Sequence, residues 1–273
     1  LQIEFTTTSA AEYTTLKSAN KVFTFEAVKR YATYASSILN LYDKIYSDYT
    51  RLFNVILESI SVQFFLSDFQ NLLTVGGYVP FTRGKLGEIN INIFFMRFIN
   101  GTIEVIAAHE LVHHFIGKAG LSPGDLLWFH EGMAQYVSIE AIEDLGYEGA
   151  KYERERLEES IPGLPRNFGY YLKRWSPSYD PLNVGTLYVG AYYAVNELAK
   201  TRYGFSYYQR FFELTRNVTW TVEDKNSLLA YYLSKAANAS VALTFKQWGF
   251  DIADLYTSSD MRELIDEAQT TIG

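Results

Sequence analysis

Between residues 89 and 116 the apolar positions change period. Ile89, Ile91 and Ile93 alternate with Asn90 and Asn92, the two-residue repeat of a strand with one buried face. After Thr102, Val105, Ala108, Val112, Phe115 and Ile116 recur at three- and four-residue steps, one side of a helix that Thr102 can cap and that Gly117 and Gly120 stop. Ser122-Pro123-Gly124-Asp125 then opens a second helix, with Ser as cap and Pro at the first helical position, running to about Leu145. The connection is short, so the two helices are expected to form an antiparallel hairpin.

Upstream, an amphipathic stripe predicts a helix over Thr24 to Tyr49, following an irregular or edge-strand lead-in. Strands are expected at Phe53 to Leu57, Ser61 to Leu66, Tyr78 to Thr82 and Glu88 to Phe94, with a break at Gly76-Gly77. Residues 50 to 96 therefore read as a small, mostly antiparallel sheet, and the strand from Glu88 to Phe94 as an open edge for an extended peptide. Residues 150 to 184 hold four of the six prolines and read as a charged helix followed by a long irregular loop. Helices are expected over Thr186 to Tyr203, Ser206 to Arg216, Val222 to Ala237, Ala242 to Tyr256 and Ser259 to Thr270. The fold class is α+β: a helix-backed sheet, a helix hairpin and a mainly helical C-terminal lobe. One domain, 1–273, is expected in two lobes, 1–118 and 119–273.

Composition narrows the chemistry. The 273 residues are 48% apolar, enough for a substantial core, and the net charge of −7 with no long Lys/Arg cluster argues against nucleic acid as a partner. The mixed charges from Lys151 to Glu159 read as a solvated helix face, and the 22 Tyr and 19 Phe as core and groove packing. With no cysteine, disulfides and thiolate ligands are excluded, leaving histidine and carboxylate as the strong metal ligands. No apolar run is long enough for a membrane span. The chain opens Leu-Gln-Ile without Met, which points to a trimmed or mature form and leaves room for a signal or anchor upstream. Sequons at Asn100, Asn217 and Asn238 lean in the same direction, toward a secreted or cell-surface protein.

All four histidines, at 109, 113, 114 and 130, fall between His109 and His130. His109 and His113, one helical turn apart, can direct two imidazoles at one metal ion with Glu110 beside them. A third ligand from the facing helix is Glu131 or His130; adjacent residues point about 100° apart, so both cannot serve. His114 reads as packing or support, and Gln135 as either an orienter of a ligand or an ordinary packed polar residue.

The string His109-Glu110-x-x-His113, seventeen residues, then Trp128-x-x-Glu131-Gly132-x-Ala134-x-Tyr136 resembles the gluzincin metallopeptidases, peptidase MA-like families in particular and M1 aminopeptidases more distantly. The resemblance implies one Zn²⁺ held by His109, His113 and Glu131, with His130 as the alternative third ligand, and Glu110 as general base toward a zinc-activated water. It also implies that Tyr188, in a segment similar to a later helix of the M1 enzymes, stabilises the oxyanion, with Tyr192 and Tyr193 as alternatives. The substrate expected is a peptide or protein. Gly87-Glu88-Ile89-Asn90 departs from the amine-anchoring motif of M1 enzymes, so an endopeptidase is favoured over an aminopeptidase that would use Glu88 for the amine. A zinc-containing surface or interaction domain without catalysis is the reading from another class.

Overall fold

The computed structural model describes residues 11–68, 75–97 and 100–257. The helix expected over Ser259 to Thr270 lies outside them.

The first departure from expectation concerns Phe23 to Val28. Its apolar residues satisfy either period over so short a span, but Phe23, Phe25 and Ala27 are buried while Glu26 between them is exposed, and the segment is a strand. It is β2 (Phe23–Val28), paired antiparallel with the edge strand β1 (Tyr13–Lys17). The helix α1 (Ala32–Phe53) starts later than expected and runs further, because Tyr49, Leu52 and Phe53 continue its buried stripe. It thereby occupies the start of the expected Phe53 to Leu57 strand and ends at Asn54 in the left-handed region, φ 54°.

Next come β3 (Ile60–Phe65), β4 (Gly77–Tyr78), the small hairpin β5 (Phe81–Thr82) with β6 (Lys85–Leu86), and β7 (Ile89–Asn92). The main sheet has the order β1-β2-β3-β7-β4. Its outer pairs are antiparallel and its two inner pairs parallel; with the β5–β6 hairpin, three of the five pairings are antiparallel. The parallel β2–β3 pairing follows from the α1 crossover, since β2, helix and β3 in succession return the chain in the same direction. The architecture is α+β, as the patterning implies.

Register sets which face meets the helices. Phe25, Val62 and Ile89 stand in a row, as do Phe64 and Ile91, and these face α1 and the next helix, α2 (Thr102–Lys118). The opposite face carries Gln63, Asn90 and Tyr78. The strand expected to offer a free edge does not: β7 lies between β3 and β4, all four of its residues are buried, and β4 forms the edge instead.

The hydroxyl of Tyr42 on α1 donates to the Ala107 carbonyl of α2 (3.1 Å), and Tyr49, Phe53 and Phe115 form an aromatic cluster between the same helices. Gly101, not Thr102, caps α2, with no side-chain cap bond. Gly120 ends the segment at φ 93°, a conformation open to glycine at little steric penalty, as the Leu121 amide reaches back to the Ile116 carbonyl. The next helix, α3 (Pro123–Asp144), begins as expected: the Ser122 hydroxyl accepts from the Gly124 amide (3.1 Å). A kink at Leu126 separates its first turn from the rest.

The remaining chain comprises α4 (Glu148–Ser160), α5 (Phe168–Leu172), α6 (Val184–Arg202), α7 (Phe205–Thr215), α8 (Lys225–Ala237) and α9 (Ala242–Gln247). The stretch expected to be irregular contains α5, whose Phe168 and Leu172 are buried. Helix α9 is shorter than expected because Gly249 turns the chain at φ 88° and Phe250 folds back onto Phe245 and Trp128, with ring centroids 5.1 Å apart in each pair. Trp128 is further tied to α8 by its indole N–H, which donates to Asn226 Oδ1 (2.8 Å). No helix among the described residues is long and apolar enough to cross a membrane.

Candidate metal centre

Helices α2 and α3 pack against each other along their length, and the 3.6-residue repeat sets His109 and His113 one above the other on the side facing α3. Glu131 answers from α3. His109 Nε2 is 3.3 Å and His113 Nε2 3.6 Å from the same Glu131 oxygen, Oε2, and one ligand atom from each residue lies within 4.8 Å of the others.

These separations suit a cation. Ligand bonds of about 2.0–2.2 Å in a tetrahedron place ligand atoms about 3.3–3.6 Å apart. Glu131 Oε2 is buried with no hydrogen-bond partner, as an oxygen reserved for a metal would be. Two nitrogens and one carboxylate oxygen are a donor set for a divalent ion with a position left open. These three residues could hold a metal ion.

The local field points the same way. Burial alone would lower the pKa of His109, yet the close approach of Glu131 and the charges of Glu110, Glu131 and Glu153 leave it raised. Burial would raise Glu131, but His113 and His109 hold it below the usual carboxylate range. His113 is held well below the ordinary imidazole value, chiefly by burial, and so is neutral as a ligand must be.

Glu110 is only 5% exposed, and burial together with the charge of Glu131 pushes its carboxyl up to about 8, against the opposing influence of His109. Its position depends on the edge strand. A Cβ built on Gly77 of β4 would come within 2.8 Å of both Cγ and Oε1 of Glu110 and 3.0 Å of the Asn90 carbonyl oxygen. Only a residue without a side chain lets that carboxylate lie against the strand. In the sequence Gly76-Gly77 marks a break between strands; in the structure Gly77 is a strand residue whose missing side chain makes room for Glu110.

His130 does not join the three. Its Nδ1 lies 2.7 Å from Nδ1 of His113, so it meets the edge of that ring opposite the one facing Glu131. It is 1% exposed, and burial pushes it down to about 3, partly offset by the Leu121 backbone. His114 is buried apart from the group, beside the Gly87 backbone, with its pKa lowered by burial to about 4.

Tyr188, at the start of α6, places its hydroxyl against Glu131: the carboxylate's charge, then burial, then Glu110 and a hydrogen bond to Glu131 hold the phenol well above its ordinary pKa. Its ring meets Trp175 edge-on at 5.2 Å, and the Trp175 indole donates to Asp180 Oδ1 (2.8 Å). This brace comes from the segment read as loop, where no periodicity marks it. Tyr192 is buried beside Arg154 and Glu140, and Tyr193 packs against Phe168 and Trp248, so neither shares the placement of Tyr188.

Gln135 reaches no ligand; its amide donates to Glu153 Oε1 (3.0 Å), which Arg156 also pairs, and Glu153 in turn acts on His109. Glu153 belongs to the charged run read as a solvated face, and its neighbours in sequence give no sign of the difference. Glu88 is exposed and accepts from Gln63 (2.6 Å), on the sheet face away from Glu110.

No protein-family model matches this chain, and no curated protein matches it in sequence.

Proposed function

We propose that the chain is a zinc-dependent metallopeptidase, similar to the gluzincins, that cuts peptide bonds with Glu110 as general base. The observation that carries the reading is the buried Glu110 carboxyl seated on the Gly77 edge strand beside the group formed by His109, His113 and Glu131. A zinc ion bound there supplies Lewis acidity, polarising a carbonyl and lowering the pKa of a water.

Everything else falls to the chain. Glu110 takes a proton from the attacking water and passes it to the departing amine, a role suited to a carboxyl whose pKa burial has moved toward neutrality. Tyr188 keeps its proton, because the neighbouring carboxylate disfavours phenolate, and its O–H can turn from Glu131 to an oxyanion developing beside that carboxylate. Among the described residues β4 is the edge of the sheet, and its backbone groups can pair with an extended substrate. Glu88, on the other face, is placed poorly for a substrate amine.

The deciding experiment presents zinc-loaded protein with a mixed peptide library and reads products by mass spectrometry, beside Glu110→Gln. Internal cuts absent from the variant support an endopeptidase; ladders from the N-terminus would replace that with an aminopeptidase; no cutting by the loaded wild type would sink the peptidase reading. Tyr188→Phe is expected to lower kcat by about 10²-fold while zinc affinity stays within a few-fold, measurable by steady-state kinetics and chelator competition. Gly77→Ala is expected to keep zinc and lose about 10²-fold in turnover, since a methyl group there would lie 2.8 Å from Cγ and Oε1 of Glu110 and push the carboxylate aside, and a misplacement of about 1 Å is enough for such a loss. Wild-type turnover in that variant would remove the assigned role of the strand.

A further inference from the structure

His113 and His130 present Nδ1 to Nδ1 at 2.7 Å, both rings buried and nearly parallel, with an interplanar angle of 20°. Two bare lone pairs do not approach so closely. One ring donates and the other accepts, and which does so decides whether His113 can bind a metal at all. Its other nitrogen, Nε2, faces Glu131 and is the ligand atom of the group. A neutral imidazole that ligates through Nε2 carries its one proton on Nδ1.

We infer that His130 is a positioning residue that holds His113 in its Nδ1-protonated tautomer, leaving the Nε2 lone pair turned toward His109 and Glu131. The inference rests on the reading of those three residues as a metal centre. His113 Nδ1–H donates and His130 Nδ1 accepts, so the proton of His130 sits on Nε2. That atom is buried without a hydrogen-bond partner in the present geometry, and the backbone of Leu121, in the turn between α2 and α3, is the polar group beside the ring. The opposite arrangement, with His130 donating, would force the His113 proton onto Nε2 and block ligation. Each ring holds one proton in either arrangement, so the choice moves protons between nitrogens without changing the charge of the pair.

The ligand-ready state of His113 is thus set by a second imidazole that has no metal contact of its own. An acceptor at position 130 is the requirement. Asparagine meets it with its side-chain oxygen, and leucine of comparable bulk does not.

The test uses ¹⁵N-histidine-labelled full-length protein with and without zinc, together with His130→Asn and His130→Leu. Ring-nitrogen spectra of the zinc-loaded wild type are expected to show His113 protonated at Nδ1 and His130 protonated at Nε2. Zinc affinity, from competition with a chromogenic chelator, is expected to fall about 10–100-fold in His130→Leu and within about threefold in His130→Asn. A His130 ring protonated at Nδ1 in the loaded protein, or a folded His130→Leu that binds zinc as tightly as wild type, overturns the inference and leaves the centre standing. Should His130→Leu not fold, the wild-type spectra decide alone. A wild type that binds neither zinc nor cobalt removes the centre, and this role with it.

Discussion

Glu110→Gln is expected to bind zinc as wild type does and to lose peptide hydrolysis by several orders of magnitude. The two side chains have the same shape, so the fit against Gly77 is kept, and the amide cannot take the proton that the carboxylate takes. Burial makes the neutral form the better tolerated one without metal, which is the reason the substitution leaves the fold intact. The same shift has a signature in stability. A carboxyl whose folded pKa is raised from 4.5 to about 8 stays protonated in the folded protein while the unfolded chain releases its proton, so its contribution is full below about pH 4.5 and is lost as pH rises toward 8. Metal-free wild type should therefore lose stability across that window relative to metal-free Glu110→Gln, in parallel chemical denaturation series. Equal pH dependence would mean that Glu110 is less buried than described, and retained hydrolysis in the variant would end its assignment as base.

The second large effect is expected at the ligands themselves. His113→Ala should weaken zinc binding by at least roughly 10³-fold and abolish turnover, since a few protein ligands share the whole of a zinc-binding energy of about 10–16 kcal/mol. Equilibrium dialysis reads the first and the peptide assay the second. Glu131→Ala is expected to weaken binding without unfolding the chain, because it also relieves a buried oxygen that lacks a partner. Unchanged affinity in Glu131→Ala would show that the metal, if bound, uses another third ligand.

The metal group was largely legible in the sequence because helix geometry converts spacing directly into direction. A four-residue step between His109 and His113 and two helices joined by a short turn suffice to bring His109, His113 and the 130–131 pair together. What spacing could not decide was the choice between His130 and Glu131, since neighbours on a helix differ by about 100° and the phase of α3 was known only from its cap. The kink at Leu126 alters that phase locally, and nothing in the composition announces it. Strand β7 was evident from alternation, whereas its place inside the sheet was not: strand order depends on pairings between distant segments. For the same reason the spacing from Thr24 to Val28 reads as helix, because its period is ambiguous and only the pairing with β1 and β3 decides it. Gly77, Trp175 and Glu153 act through contacts with residues far along the chain, and each has an ordinary local explanation.

Trp128 lies one turn before Glu131, and its indole is held by Asn226 and packed against Phe245 and Phe250. During synthesis this arrangement imposes a sequence of events. The chain carrying His109, His113 and Glu131 leaves the ribosome about a hundred residues before the residues that clamp Trp128, and until those arrive the start of α3 has no buried partner for its largest side chain. Under the proposed function, the metal group stays without the packing behind Trp128 until Phe250 has folded home, so that cutting waits until most of the chain has been made.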